Sequence, residues 1–166
     1  YDLHRDLTQP IHIRPGDGIE FTAFELGRAE AVRDLHNQCF ASLGASEVSE
    51  EMWLGRLREE TFRPEWSYLA LDGDRVVGYA MSGLDESADD GVLGGWTERF
   101  GVHPEYRGRG LSLALLGRCL SAMRDAGCQE AGIGIDTMDG EGIHRLAAQL
   151  GYTTRDAVAL LTKVVD

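Results

Sequence analysis

One stretch of the chain, residues 96–126, constrains the fold more than any other. Trp96–Val102 has the aromatic and β-branched residues of a strand, and His103-Pro104 ends it because proline has no N–H for a strand ladder. After the loop Arg107-Gly108-Arg109-Gly110, apolar residues recur at helical spacing over Leu111–Ala126. The stretch therefore predicts a strand, a glycine-arginine loop and a helix.

This junction predicts an anion-binding site. A helix N-terminus exposes unpaired N–H groups and partial positive charge, which attract phosphate. Arg107 and Arg109 disfavour that helix end unless a polyanionic ligand neutralises them, and the alternative is a solvated turn. A P-loop is excluded, because the loop lacks its Gly-Lys-Ser/Thr ending. Dinucleotide binding stays open, with Leu113 at the third glycine position and Asp136 as the acidic residue.

A known motif matches these residues. Val102-x-Pro104-x-x-Arg107-Gly108-Arg109-Gly110-Leu111-Ser112 resembles the acetyl-coenzyme A motif of the GNAT N-acetyltransferase superfamily, Arg/Gln-x-x-Gly-x-Gly/Ala after a Val-x-Pro strand end. Serine replaces the final Gly/Ala and is small enough for a close backbone approach. The resemblance implies that acetyl-coenzyme A is the cosubstrate. The residues expected to bind it are Phe100, Val102, Arg107, Gly108, Arg109, Gly110, Leu111 and Ser112.

The remaining elements agree with that fold. Residues 1–17 are predicted to form an extended arm with a short strand at 11–13, and residues 18–166 a single acetyltransferase-like domain. Asp72-Gly73-Asp74 between two apolar runs predicts a hairpin. The fold class is α/β, with a mixed, mostly antiparallel central sheet flanked by helices. The predicted strands are 18–24, 66–71, 75–83, 96–102, 130–137 and 157–165, and the helices 28–43, 46–60, 111–126 and 139–150.

A second segment, Asp136–Tyr152, is similar to the family pattern Asp-Thr-x-Asn-Pro-x-Gly-Ala-x-x-Leu-Tyr-x-x-Leu-Gly-Phe. Ala147 replaces the tyrosine, which in the family commonly protonates the departing coenzyme A thiolate. Water or another side chain, such as Tyr152 or His144, could take over this role. The alternative is a non-catalytic domain that binds coenzyme A or a partner protein.

The implied chemistry is direct acyl transfer to an amine that attacks as the neutral base. Glu98 is the first candidate for the general base and Asp136 the second. Backbone N–H groups near Phe100–Val102 would polarise the thioester carbonyl. Glu98 could instead pair with Arg99, and a bulge in this strand would reverse its alternation.

Composition narrows the partners. A net charge of −12 over 166 residues argues against nucleic acid and favours a cationic small-molecule amine or peptide as the acceptor. The sequence has no run of 18 apolar residues, so no membrane insertion is expected. Three scattered cysteines predict reduced thiols in a cytoplasmic protein and no metal site. A homodimer and a longer tandem chain are both left open.

Overall fold

The computed structural model describes residues 2–9, 11, 18–41, 43–134 and 141–156. Within these ranges the chain forms seven strands and four α-helices. The strands are β1 (Asp2–Asp6), β2 (Glu20–Ala23), β3 (Tyr68–Asp72), β4 (Arg75–Leu84), β5 (Gly94–Val102), β6 (Glu130–Gly134) and β7 (Thr153–Asp156). The helices are α1 (Ala29–Ala41), α2 (Glu50–Leu57), α3 (Leu111–Asp125) and α4 (Glu141–Gln149).

Local sequence explains two of these boundaries. The Ser49 hydroxyl accepts a hydrogen bond from the Met52 amide at 3.2 Å and so caps α2, where Glu50 and Glu51 occupy the first turn. Gly73, at φ 60°, supplies the left-handed turn of the β3–β4 hairpin. The hairpin was predicted from the sequence, whereas α2 begins four residues later than the predicted start at residue 46.

The strands form one sheet in the order β2-β3-β4-β5-β6-β1-β7. Neighbouring strands run antiparallel except for β5 and β6, which are parallel. The predicted fold class is therefore confirmed. Dinucleotide binding required a mostly parallel sheet, which the described strands do not form.

The N-terminal residues contribute more to the sheet than the sequence suggested. Residues 2–6, predicted as part of an extended arm, form β1 between β6 and β7. The segment looked polar because its core side holds only two buried leucines, Leu3 and Leu7, with Arg5 between them. The strand predicted at 11–13 was misplaced at its start, since Ile11 lies outside every strand, and residues 12–13 lie outside the described ranges.

Helices cover both faces of the sheet. α3 and α4 bury one apolar cluster, which includes Leu115, Leu120 and Ile133. α1 and α2 bury the other, which includes Val32 and Trp53. None of the described helices is long and apolar enough to cross a bilayer. The strand predicted at 157–165 lies outside the described residues.

Candidate functional site

A bulge shapes the central strand β5. Arg99 pairs with Met81 and Thr97 with Ser82 of β4, so Glu98 is one residue more than β4 can match. The extra residue reverses the alternation of side chains. Thr97 is buried, Phe100 packs against the α3 core, and Glu98 is left between them with a side chain 43% exposed.

Beyond the bulge, the described residues give β5 a strand partner on one side only. Its described pairing with β6 ends at Thr97 and Ile133, whereas its pairing with β4 continues to Val102. On the β6 side, residues 98–102 have no strand partner in the described part of the chain. Phe100, Gly101 and Val102 of this segment line the cleft described next.

A cleft of about 650 Å³ lies against this half of β5. The predicted cofactor-binding residues line it, with the exception of Arg109. Its walls come from α1, the end of β5, the glycine-arginine loop, the start of α3 and α4. The lining residues are Cys39, Phe40, Leu43, Phe100, Gly101, Val102, Tyr106, Arg107, Gly108, Gly110, Leu111, Ser112, Leu113, Arg145, Leu146 and Gln149.

The glycine-arginine loop places the N-terminus of α3 at the cleft. Gly108 and Gly110 have φ angles of 81° and 75°, which residues with a Cβ adopt at a cost. Gly110 is the N-cap of α3 and offers no side chain to its first N–H groups, and the first turn contains no acidic residue. The start of α3 thus keeps its partial positive charge for a ligand.

The two arginines of the loop have different surroundings. The Arg107 guanidinium donates to the Val102 carbonyl (3.2 Å) and the Cys39 carbonyl (3.4 Å), and so ties the loop to β5 and α1. Arg109 lies over the ring of Tyr106, 5.0 Å from its centroid, and is exposed. Arg107 therefore shapes the cleft wall, whereas Arg109 extends the positive charge at its rim.

Sequence reasoning missed the walls contributed by α1 and α4. Phe40 and Leu43 of the first helix region, and Arg145, Leu146 and Gln149 of the last, line the cleft. No motif marks the α1 residues, and the apolar stripe of that helix, which includes Cys39, was the one signal for them. The α4 residues belong to the family-like segment Asp136–Tyr152, which was not assigned to the cofactor site.

Glu98 faces a second, smaller cavity of about 240 Å³, which Glu59 and Trp96 also line. Burial raises the pKa of the Glu98 carboxyl, the neighbouring Glu59 carboxylate raises it further, and Arg56 opposes both effects. Glu98 also pairs with Arg99 at 3.3 Å. Glu98 therefore forms the predicted ion pair with Arg99 and still faces a cavity, as a general base would need.

Of the other catalytic candidates, the structure describes the side chain of Tyr152 alone, and it lies outside the large cleft. Tyr152 is buried in the α3 core next to Thr97, and burial is the main reason why its pKa is raised. It is not a lining residue of the large cleft. Asp136 lies outside the described residues, as does the side chain of His144. Ala147 is buried at 4% exposure in the same core.

One group of metal-ligand residues lies away from this site. His4, Asp85 and Glu130 each bring a ligand atom within 4.8 Å of the other two. No other such group occurs among the described residues. The absence of a metal stays a prediction.

Comparison with known families fits this geometry. A family model described as the acetyltransferase (GNAT) family matches residues 29–152, which include α1, the cleft and the glycine-arginine loop. The chain belongs to the GNAT acetyltransferase family.

Individual relatives are distant. An acetyltransferase of Yersinia pestis (strain Pestoides F) is 29% identical over 102 residues, covering 61% of this chain and 67% of the relative. The crystal structure of a GCN5-related N-acetyltransferase from Sphaerobacter thermophilus superposes with a TM-score of 0.76 at 26% identity, over 92% of this chain and 47% of that one. This chain thus spans about half of that protein. The aminoglycoside N-acetyltransferase AAC(6')-Iy in complex with CoA gives a TM-score of 0.69 at 17% identity, over 93% and 97% of the two chains, and shows the shared fold alone.

Proposed function

We propose that this acetyltransferase moves an acetyl group from acetyl-coenzyme A to the primary amine of a small molecule or peptide, by direct attack within a ternary complex. One observation carries the proposal: the start of α3, the two left-handed glycines and the last residues of β5 line a single cleft.

The residues present suit this cosubstrate. Its phosphates need N–H donors and positive charge, which the start of α3 and the exposed Arg109 provide. Its long amide-containing arm needs backbone hydrogen-bonding groups along an apolar wall, as residues 100–102 and Phe40 provide. When bound, acetyl-coenzyme A supplies an activated thioester.

Direct attack fits the cleft better than a covalent enzyme intermediate. Cys39 is the one cysteine among the lining residues. Burial raises the pKa of its thiol, and the opposing charge of Arg107 is the smaller effect. The thiol therefore stays protonated near neutral pH and is a poor nucleophile.

Glu98 is the proposed general base. Its raised pKa brings it closer to neutral pH than an ordinary carboxyl group, and the bulge exposes it to the smaller cavity, where an acceptor amine would enter. Together with Glu59 it attracts a cationic amine and can then accept its proton. Asp136 remains the second proposal for this role.

Ala147 has no proton to give to the leaving thiolate, and Tyr152, the candidate that the sequence suggested, is buried and does not line the cleft. Water is therefore the proposed proton donor, and Tyr152 is assigned to the core. Replacing Tyr152 with Phe should then leave kcat unchanged, whereas a loss of about 10²-fold would show that its hydroxyl is the acid. The buried Ala147 also favours a second candidate, a domain that binds coenzyme A without turnover.

A thiol-release assay tests the proposal, with acetyl-coenzyme A and a panel of polyamines, amino sugars, amino acids and peptides. Calorimetric titration with coenzyme A runs beside it. Turnover on any amine supports the enzyme, and binding without turnover supports the second candidate. If the protein shows neither binding nor turnover, the cleft is not a coenzyme A site.

A further inference from the structure

Three metal-ligand side chains, those of His4, Asp85 and Glu130, meet at one place on the sheet. Each brings one ligand atom, an imidazole nitrogen or a carboxylate oxygen, to within 4.8 Å of the other two. His4 comes from β1, Asp85 from the loop after β4, and Glu130 from the start of β6. None of the three lines the large cleft or the smaller cavity at Glu98. The group is therefore separate from the site proposed for acetyl transfer.

Strand pairing and two glycines bring these side chains together. His4 lies opposite Gly132, two residues along β6 from Glu130, and Gly94 of β5 lies opposite Glu130. The Asp85 amide donates to the Gly94 carbonyl at 2.9 Å. A Cβ built at Gly94 would lie 3.2 Å from the Asp85 Cβ, and one built at Gly132 would lie 3.2 Å from Cε1 of His4. The absence of side chains at these two positions thus permits the close approach.

Two polar atoms of the group are buried without a partner. Nδ1 of His4 and Oδ2 of Asp85 are inaccessible to solvent, and neither has a hydrogen-bond partner among the described residues. The other oxygen of Asp85 accepts hydrogen bonds from the Ser87 amide at 2.9 Å and the Ser87 hydroxyl at 2.6 Å, which fix the carboxylate. Buried polar atoms ordinarily have partners. A cation among the three side chains would pair with Oδ2 and offset the repulsion between the two carboxylates.

A cavity of about 540 Å³ connects the group to solvent. Its lining includes His4 and Glu130, with the exposed Asp6 and with Arg5. The two Nη atoms of Arg5 donate to the carbonyls of Leu150 and Gln9. An ion bound by His4 and Glu130 would face this cavity, where water can complete the coordination left open by three protein ligands.

We propose that His4, Asp85 and Glu130 bind a divalent transition-metal ion such as Zn²⁺, which ties β1 to β6 and to the end of β4. One imidazole and two carboxylates suit such an ion, whereas Ca²⁺ and Mg²⁺ prefer oxygen ligands throughout. Ligand atoms about 2.1 Å from a tetrahedral ion lie about 3.4 Å apart, so the side chains need to close by at most about 1.4 Å. The proposal does not depend on the proposed function, and it departs from the sequence-based prediction, which rested on the cysteines, of no metal site.

Calorimetric titration of the full chain with Zn²⁺, after treatment with a chelator and in a buffer that does not bind metals, tests the proposal. One ion should bind per chain. His4→Gln, Asp85→Asn and Glu130→Gln should each weaken its binding at least about tenfold, because loss of even an outer-shell partner of a metal ligand typically costs about 10–100-fold. Failure of the unmodified chain to bind Zn²⁺ would overturn the proposal.

Matched controls exclude binding elsewhere on the protein. Glu86→Gln changes the exposed acid next to Asp85, and His103→Gln changes a histidine outside the group, so both variants should keep the affinity of the unmodified chain. Equal affinity in the His4, Asp85 and Glu130 variants would mean that Zn²⁺ binds another site, such as a cysteine, and would overturn the proposal.

Thermal unfolding gives a second measurement. An ion that binds only the folded state raises Tm, so saturating Zn²⁺ should raise the Tm of the unmodified chain and of both controls but not that of the Asp85→Asn variant. Asp85 lies outside the strands, so this variant carries the test if the strand variants fail to fold. A larger rise with Ca²⁺ or Mg²⁺ than with Zn²⁺ would contradict the imidazole ligand.

Discussion

Glu98 combines three features at one position: an extra residue in a strand, a partly exposed carboxyl and a raised pKa. A strand without the bulge would place residue 98 on the opposite face from Thr97 and give it an ordinary neighbour on β4. The bulge is therefore what makes this glutamate available, as bulges beside functional sites often do.

Replacing Glu98 with Gln should lower kcat/KM at neutral pH by about 10²-fold or more. In the unmodified protein, activity should rise with pH as Glu98 loses its proton, and this rise should lie above the usual carboxyl range because the pKa is raised. The variant should lose that limb of the pH profile. Glu86→Gln, in the exposed loop after β4, should keep it, and an unchanged profile in the Glu98 variant would contradict the assignment.

Ionisation of Glu98 should raise activity as the pH rises, but it should lower the stability of the fold. Because its pKa is higher in the folded than in the unfolded state, its contribution to stability is present at low pH and lost as pH rises through the folded-state pKa. Glu98→Gln should therefore not lower Tm at pH 7, which differential scanning calorimetry can check. A clear drop would mean that the pair with Arg99 dominates.

Substitution of Arg109 should affect coenzyme A binding alone, whereas substitution of Arg107 should affect both binding and thermal stability. Arg109→Ala should weaken coenzyme A binding about tenfold or more without changing Tm, because its guanidinium is exposed at the rim. Arg107→Ala should lower both affinity and Tm, since it removes two hydrogen bonds that hold the loop. Calorimetric titration and thermal unfolding measure the two effects. Arg124→Ala, exposed near the far end of α3, is the control, and equal affinity in all variants would exclude the loop as the site.

At the scale of the element, the loop and α3 act as one unit. Gly110 is both the N-cap of α3 and a cleft residue, so the conformation that starts the helix also sets its open N–H groups against the ligand. An ideal Cβ at Gly110 would meet no atom within 4 Å. Glycine is therefore required there by its φ of 75° rather than by lack of space.

Gly110→Ala should cost about 1–2 kcal/mol, the penalty for a left-handed residue with a Cβ, and should weaken coenzyme A binding by distorting the start of α3. Gly55 gives a matched control, because it lies inside α2 with no atom within 4 Å of an ideal Cβ. Gly55→Ala should stabilise the protein by about 0.5–1 kcal/mol. Urea denaturation measures both, and a neutral Gly110 variant would contradict the argument.

At the scale of the whole molecule, β1 connects parts of the chain that are far apart in sequence. It pairs with β6 and β7, and Arg5 donates hydrogen bonds to the carbonyls of Leu150, after α4, and of Gln9. Since Leu146 and Gln149 of α4 line the cleft, the N-terminal strand supports one of its walls.

Arg5→Ala should lower the free energy of unfolding by about 1–3 kcal/mol, because the buried Leu150 carbonyl loses its donor. The same substitution should weaken coenzyme A binding, because Arg5 holds the end of α4 and α4 lines the cleft. Urea denaturation gives the first value and calorimetry the second, with Arg124→Ala again as the control. Unchanged stability would mean that β1 is held by its strand pairing alone.

The glycine-arginine loop could be predicted from the sequence because the signals that mark it are local. Strand residues, a proline, two glycines and helical periodicity follow one another within 96–126, and each fixes the backbone of its own neighbours. The mixed sheet and four helices follow from similar short-range patterns. By itself, the sequence therefore determined the elements between β2 and α4, the α/β class and the position of the anion-binding loop, but neither β1 nor β7.

The tertiary structure alone decided which residues meet across the chain. The place of β1, the bulge at Glu98 and the α1 and α4 walls depend on contacts between distant segments. No local pattern encodes such contacts, because register and packing are set by the sum of many burial and hydrogen-bonding energies over the whole sheet. The part of the site proposed to bind the acceptor amine was therefore decided by the tertiary structure.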